Sequence, residues 1–592
     1  MPDPFRHYKD VPVLDLPADP PAPEIAALDP HPRGAFVFAA RVGYHLPSSS
    51  LSCATVARFV PLTPTLAVVE TRFNQTSARP NSAKPSGRSS MPTDAAPNLV
   101  RLRNSMLSQL PATVARPAYD RGSTVPGIVH IGVGGFNRSH LAVYLDDLLT
   151  LGEAKRWGEF GVGLLPGDKL IHAALAEQDY LYGLLLMDSG RENYRVIGSL
   201  TGHVFAPESC QAVLERITSP DCAIVSLTVT EGGYFIEDAS RRFLADHEDI
   251  RHDLEHPANP RTWLGFVAEA AERRMKTGSG PFTLLSCDNL QSNGATARIA
   301  LLAFVEARSA ALRKWIEENI SFPNSMVDRI TPRTTDENRA AIEHNFGVID
   351  LSPVVSEPFR QWVLEDEFLA GRPAFERVGA QITTDVAPYE MTKMRLLNGG
   401  HSTIGYVADL LGFSYIAQAA GDPLLNKLLI EFMAEVRPTL KQLPGIDLDD
   451  YTANIVKRFS NTAIRDQLAR ICSDGCAKMA KFLVPSLTDL LAAAQSPRIL
   501  PFVIASWLHY LRGRDENGRA MTVSDPSLGC LKAFLDSGGA DARLALSTRS
   551  IFGELASTYP QLVTKVQGYL DQLRSQGVRA AIAQTLEQVH AQ

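Results

Sequence analysis

The chain has 592 residues, 45% of them hydrophobic and 21% charged, the composition of a soluble globular protein with room for two or three domains. A formal net charge of -7 leaves no basic footprint for nucleic acid or an anionic membrane, so the expected partner is a small molecule. No apolar run nears the ~20 residues of a membrane helix, the start at Met1 lacks a secretory layout, and the seven cysteines show no zinc spacing, so we expect a cytoplasmic location, reduced thiols and no metal.

Residues 1–115 are rich in Pro, Ser, Ala and Thr, and the stretch NQTSARPNSAKPSGRSSMPTDAAP has neither a helical nor a strand period. They read as a disordered extension. Order is expected from Pro126, where the β-branched run Gly127–Ile131 leads into Gly132-Val133-Gly134-Gly135-Phe136-Asn137-Arg138-Ser139-His140 and then an apolar helical stripe from Leu141 to Leu149. Glycines in a strand-to-helix turn let a pyrophosphate approach backbone N–H groups, which makes Gly132, Gly134, Gly135, Phe136, Asn137 and Arg138 candidate dinucleotide contacts. Asn137 stands where the usual fingerprint has its third glycine, and on this motif alone a ligand-free turn is an equally good reading.

Further strand-like runs at Phe160–Leu165, Ala223–Thr230 and Phe282–Cys287 alternate with helical segments such as Leu264–Lys276. Residues 120–384 are therefore expected to form a Rossmann-type, doubly wound α/β domain with a parallel sheet. Asp168 follows the second run, where a carboxylate would accept from a ribose 2′-hydroxyl and favour NAD over NADP, with Lys169 beside it pulling the other way. Two later strands end in Thr228-Val229-Thr230-Glu231-Gly232-Gly233-Tyr234 and Ser286-Cys287-Asp288-Asn289-Leu290, which puts Glu231, Asp288 and Asn289 at the carboxyl edge, where open α/β sheets bind ligands. The competing reading of Asp288 and Asn289 is an Asx turn capping the next helix, and for Asp288 it is the one preferred.

After residue 384 helical patterns take over. Asp422 and Pro423 read as N-cap and first helical residue before an apolar face of Leu425, Leu428, Leu429, Phe432 and Val436; Pro501–Leu511 reads as a buried helix and Val578–Val589 as a terminal amphipathic one. Residues 385–592 are expected to be an all-helical domain. Near its start lies Lys393-Met394-Arg395-Leu396-Leu397-Asn398-Gly399-Gly400-His401. On an α-helix Lys393, Asn398 and His401 share an arc of roughly 140° and could meet one substrate. Each glycine costs about 1 kcal/mol there, so the pair predicts a close approach by another backbone or a ligand.

The motifs GVGGFNRSH, TVTEGGY, SCDNLQSNG, MVDRITP and KMRLLNGGH resemble, in order and spacing, the mannitol dehydrogenase family of polyol-specific long-chain dehydrogenases, from about Pro126 to the end. The resemblance implies a metal-independent, NAD-dependent oxidation of a sugar alcohol, mannitol to fructose in the first place, with polyol and ketose as the only partners and a monomer or weak oligomer. It implies that Lys393 is the general base, that Asn289 and Asn398 hold the developing alkoxide, and that His401 orients the substrate. Glu390 corresponds to a glutamate that influences proton movement, Asp328 to a position lining the active site and Lys478 to a basic residue near the substrate. The family more often has His where this chain has Asn137. Reductases of hexuronates, arabinitol, sorbitol and mannitol 1-phosphate dehydrogenases are the nearest alternatives, and a non-catalytic nucleotide-sensing protein is the alternative of another class. The intact Lys393, Asn398 and His401 argue against the last.

Overall fold

A computed structural model of the chain describes residues 99–152, 155–237 and 242–590. Its centre is a six-stranded sheet of β1 (Ile128–Ile131), β2 (Glu159–Gly163), β3 (Leu200–Phe205), β4 (Ile224–Leu227), β5 (Phe282–Ser286) and β6 (Ile320–Ser321). Their spatial order is 3-2-1-4-5-6 and every pairing is parallel. Strands β1, β4 and β5 are buried along their whole length, because helices such as Leu141–Thr150 and Trp263–Thr277 cover the sheet and leave no polar face to alternate with. The order reverses between β1 and β4, and such a reversal opens a crevice at the carboxyl ends of the strands.

The expected doubly wound α/β fold is thus observed, followed by helices. The last strand among the described residues is Gln381–Thr383, and helix begins at Ala387. Helix Pro423–Val436 starts where expected: the Asp422 carboxylate accepts from the N–H groups of Leu424 and Leu425, and the face of Leu425, Leu428, Leu429, Phe432 and Val436 is buried. All twelve residues of Ile499–Tyr510 are buried, so that helix is the axis of the helical core, and Val578–His590 closes it.

Order begins earlier than Pro126. Val100–Arg101 pairs in parallel with Val348–Ile349, and Leu102, Leu110 and Val114 are buried, each contributing about 1.5–3 kcal/mol. The expectation of an unstructured stretch to residue 115 is corrected for 99–115, and its remainder, residues 1–98, lies outside the described residues. Among the described residues no helix is long and apolar enough to cross a membrane.

Candidate functional site

Gly132 ends β1 with φ 98°, and a Cβ there would stand 2.2 Å from the carbonyl oxygen of Thr228, so only glycine fits between β1 and the end of β4. The Thr228 hydroxyl donates to the Gly132 carbonyl at 2.7 Å. Gly134 and Gly135 open the short helix Gly135–Ser139, whose unpaired N–H groups favour an anion. Gly132 and Gly134 border a cavity of about 640 Å³ that has Asp168 on its rim; Gly134, Gly135 and Phe136 border a second one of about 770 Å³. Asn137 and Arg138 border neither. The Asn137 amide donates to Glu159 at 2.6 Å beneath the turn, and the Arg138 guanidinium donates to the Ser352 carbonyl at 2.5 Å, so both are spent on holding the turn from behind. That corrects their assignment as cofactor contacts.

Thr230 follows β4 with φ 64° and ψ 169°, a conformation that costs a residue with a side chain about 1–3 kcal/mol. The Asp288 carboxylate, at the end of β5, pins it by accepting from the N–H groups of Val229 at 3.1 Å and Thr230 at 2.8 Å and from the Tyr234 hydroxyl at 2.7 Å. Asp288 is therefore structural, as preferred, but its partner is this strained turn and not the next helix. Glu231 is exposed at the cleft's mouth, 3.6 Å from Lys481 Nζ.

The larger cleft lies between these strand ends and the helical half. Lys393, Asn398 and His401 all line it, on one continuous helical run: α-helix Ala387–Thr392, a π-helical turn Lys393–Asn398 and α-helix Gly399–Leu410. The expected α geometry is thus replaced by a turn with i to i+5 spacing, which stacks Lys393 and Asn398 more closely. A Cβ on Gly399 or Gly400 would meet Phe432 at 2.8 Å or Leu429 at 2.9 Å. The close approach is made by side chains of the neighbouring helix, where a backbone or ligand was expected.

Lys393 is buried, and its Nζ donates to Asn289 Oδ1 at 2.5 Å and to the Val327 carbonyl at 2.8 Å. Burial lowers its pKa, Arg458 lowers it further, and Asp328 and Glu390 oppose them. The His401 ring lies flat on Phe459, 4.0 Å between centres; burial lowers its pKa to about 3, and Nε2 has no protein partner among the described residues. Glu390 accepts both its hydrogen bonds from the Ser292 N–H at 3.1 Å, and burial pushes its carboxyl up to about 7. Lys478 lines the cleft while its Nζ donates to the Ile471 carbonyl at 2.9 Å.

Asp328 lines the cleft, and both its oxygens accept from Arg458, at 2.7 and 2.9 Å. Arg458, on helix Leu448–Phe459, also donates to Glu357 at 2.7–3.2 Å and lies 4.0 Å over the Phe359 ring. This buried ion cluster ties the helical half to the strand that carries Val327. Sequence reading missed Arg458 and Glu357, which carry no motif, and missed Arg470, which lines the cleft beside Lys478 and pairs with Asp466. Among the described residues no group of three or more His, Cys, Asp or Glu side chains is arranged to hold a metal ion.

Comparison with known proteins matches residues 126–377 to the mannitol dehydrogenase Rossmann domain and 385–574 to the mannitol dehydrogenase C-terminal domain. A mannitol dehydrogenase of Saccharomyces cerevisiae is 41% identical, covering 82% of this chain and 98% of the relative; a mannitol 2-dehydrogenase of Aspergillus fumigatus is 43% identical over 77% and 93%. Among solved structures, Pseudomonas fluorescens mannitol 2-dehydrogenase in a ternary complex with NAD and D-mannitol matches with TM-score 0.75 and 42% identity, over 82% of this chain and all of that one. A substrate-free D-sorbitol dehydrogenase matches with TM-score 0.77 and 39% identity over the same shares.

Proposed function

The chain belongs to the mannitol dehydrogenase family, and from that premise we propose that it oxidises the C2 hydroxyl of D-mannitol to the carbonyl of D-fructose with NAD, using Lys393 as base and no metal. The smaller cavity, at the carboxyl ends of the strands and bordered by Gly132 and Gly134, suits a dinucleotide, and Asp168 borders it where a ribose hydroxyl needs an acceptor. Bound there, the nicotinamide supplies the hydride acceptor.

One observation carries the role of Lys393. An ammonium has three N–H donors, and Asn289 and Val327 take two of them. Loss of the third proton leaves a lone pair on the side those acceptors do not occupy, ready to take the hydroxyl proton. Burial and the Arg458 cation favour that neutral state. Because Asn289 Oδ1 accepts from Lys393, its Nδ2–H groups point elsewhere and can donate, with the Asn398 amide, to the oxygen as it gains charge. His401 Nε2 and the cations of Arg470 and Lys478 offer further contacts for the polyol. Glu390, near the usual neutrality boundary, is placed to pass the proton of Lys393 on towards solvent.

The likeness to D-sorbitol dehydrogenase favours a second reading, in which D-sorbitol is the preferred alcohol. Initial rates of oxidation of mannitol and sorbitol, and of reduction of fructose, fructuronate, xylulose and fructose 6-phosphate with NADH and NADPH, separate them. We expect mannitol and the fructose–NADH pair to have the highest kcat/KM. A tenfold preference for sorbitol or fructuronate would displace the first reading, and no turnover with any polyol would overturn both.

A further inference from the structure

Behind the cleft two thiols face each other. Cys476, in the short helix Gly475–Lys478, is buried; Cys530, in the turn Leu528–Leu531, is exposed, and its Sγ lies 4.0 Å from that of Cys476. Their segments are already held together, for the Asp474 N–H donates to the Ser524 carbonyl at 2.9 Å and the Cys476 N–H to Asp525 Oδ2 at 2.7 Å. We propose that Cys476 and Cys530 form a redox pair that closes to a disulfide when a hydroperoxide oxidises Cys530, and that the closed form alters the polyol side of the cleft.

The order of events follows from exposure. A peroxide reaches only the Cys530 thiol, which takes one oxygen to become a sulfenic acid while the peroxide is reduced to water. The Cys476 sulfur then attacks the Cys530 sulfur; the S–S bond forms, the S–O bond breaks, and hydroxide leaves as water with the Cys476 proton. Burial and the neighbouring Asp525 carboxylate push the Cys476 thiol up, so it serves as the resolving thiol and not as the first to react. A thiol reductant reverses the step.

Closure must draw the sulfurs from 4.0 Å to about 2.05 Å, and whatever part of that approach side-chain rotation does not supply falls on the segments that carry them. Ala477 and Lys478, the next residues after Cys476, are part of the cleft wall, and the π-helical turn Met479–Leu483 that follows carries Lys481 and Phe482 into it. On the other side Gly475 is wedged against Trp507, whose Nε1 would stand 2.4 Å from a Cβ there, so the helix cannot slide freely and its displacement reaches the cleft.

The effect on the cleft rests on the function proposed above, whereas the cross-link does not. Full-length protein treated with hydrogen peroxide, alkylated, digested and examined by mass spectrometry should yield a linked Cys476–Cys530 peptide pair, two hydrogens lighter than the free thiols and restored by dithiothreitol. The KM for the polyol should rise several-fold on linkage and the affinity for NADH should hold. Cys530→Ser should keep the basal rate and lose both responses. Cys530 driven to sulfinic acid while Cys476 still alkylates would overturn the redox pair, and a linked protein with unaltered KM would overturn its coupling to the cleft.

Discussion

Replacing Arg458 by Met removes the guanidinium but keeps most of the side chain's length. Five N–H···O contacts of 2.7–3.2 Å to Asp328 and Glu357 disappear, and two buried carboxylates lose the cation they are paired with. Breaking a buried pair from one side costs about 3–5 kcal/mol, because the remaining charge stays uncompensated. At ~2–4 °C per kcal/mol for a cooperative unit of 150–250 residues, the helical half should melt roughly 6–20 °C lower. The triple variant with Asp328→Asn and Glu357→Gln removes the orphaned charges and should recover most of that loss, as scanning calorimetry would read. The kinetic sign is also determined: Arg458 lowers the pKa of Lys393, so its removal moves the acid limb of the alcohol-oxidation profile to higher pH. A single variant that melts within a degree of the wild type, or an acid limb displaced to lower pH, refutes the reasoning.

Lys393→Ala should lose several orders of magnitude in kcat with NADH binding unaltered by fluorescence titration, and small primary amines should restore part of the rate; wild-type oxidation should rise with pH and level off, untouched by EDTA. A fully active variant, or an EDTA-treated enzyme revived only by zinc, would sink the mechanism. The Glu390 carboxyl, held up to about 7 by burial against an ordinary 4.5, contributes stability that is present below pH 4.5 and lost as pH rises through 7. Glu390→Gln should therefore gain on the wild type in urea titrations at pH 8 relative to pH 5, and a pH-independent difference would contradict this. Asp168→Ala should raise the NADP to NAD ratio of kcat/KM, and an unchanged ratio removes Asp168 from the ribose site.

The fold was legible where one local pattern sufficed: the β-branched run at β1, the short apolar runs at β4 and β5, the glycine turn, the Asp422 cap and the stripe that follows it. What escaped was non-local. The two-residue strand Val100–Arg101 exists only because Val348–Ile349 is there to pair with it, and no period can show in two residues. Asn137 and Arg138 sit in a turn of the expected shape, but which way a side chain leaves that turn is decided by Glu159 and Ser352, far away in sequence. Lys393, Asn398 and His401 were visible because three polar groups and two glycines interrupt an apolar helix. Arg458 and Glu357 were not, since a buried charge and a solvated one are the same letter until the fold brings the counter-ion.

The π-helical turn at Lys393–Asn398 means that the register of this site hangs on one local departure from α geometry. A π turn holds one residue more than the α-helical ladder needs, so an in-frame deletion within it leaves a regular helix that the surrounding core can accept at little cost. Lys393 and Asn398 would then stand at i and i+4, about 40° apart and still on one face. Relaxation of the full-length run to a plain α-helix is the damaging change: it would set Asn398 about 140° from Lys393 and turn the buried helix Gly399–Leu410 by about 100° against its core. The site therefore tolerates the loss of a residue from this turn better than the loss of the turn itself.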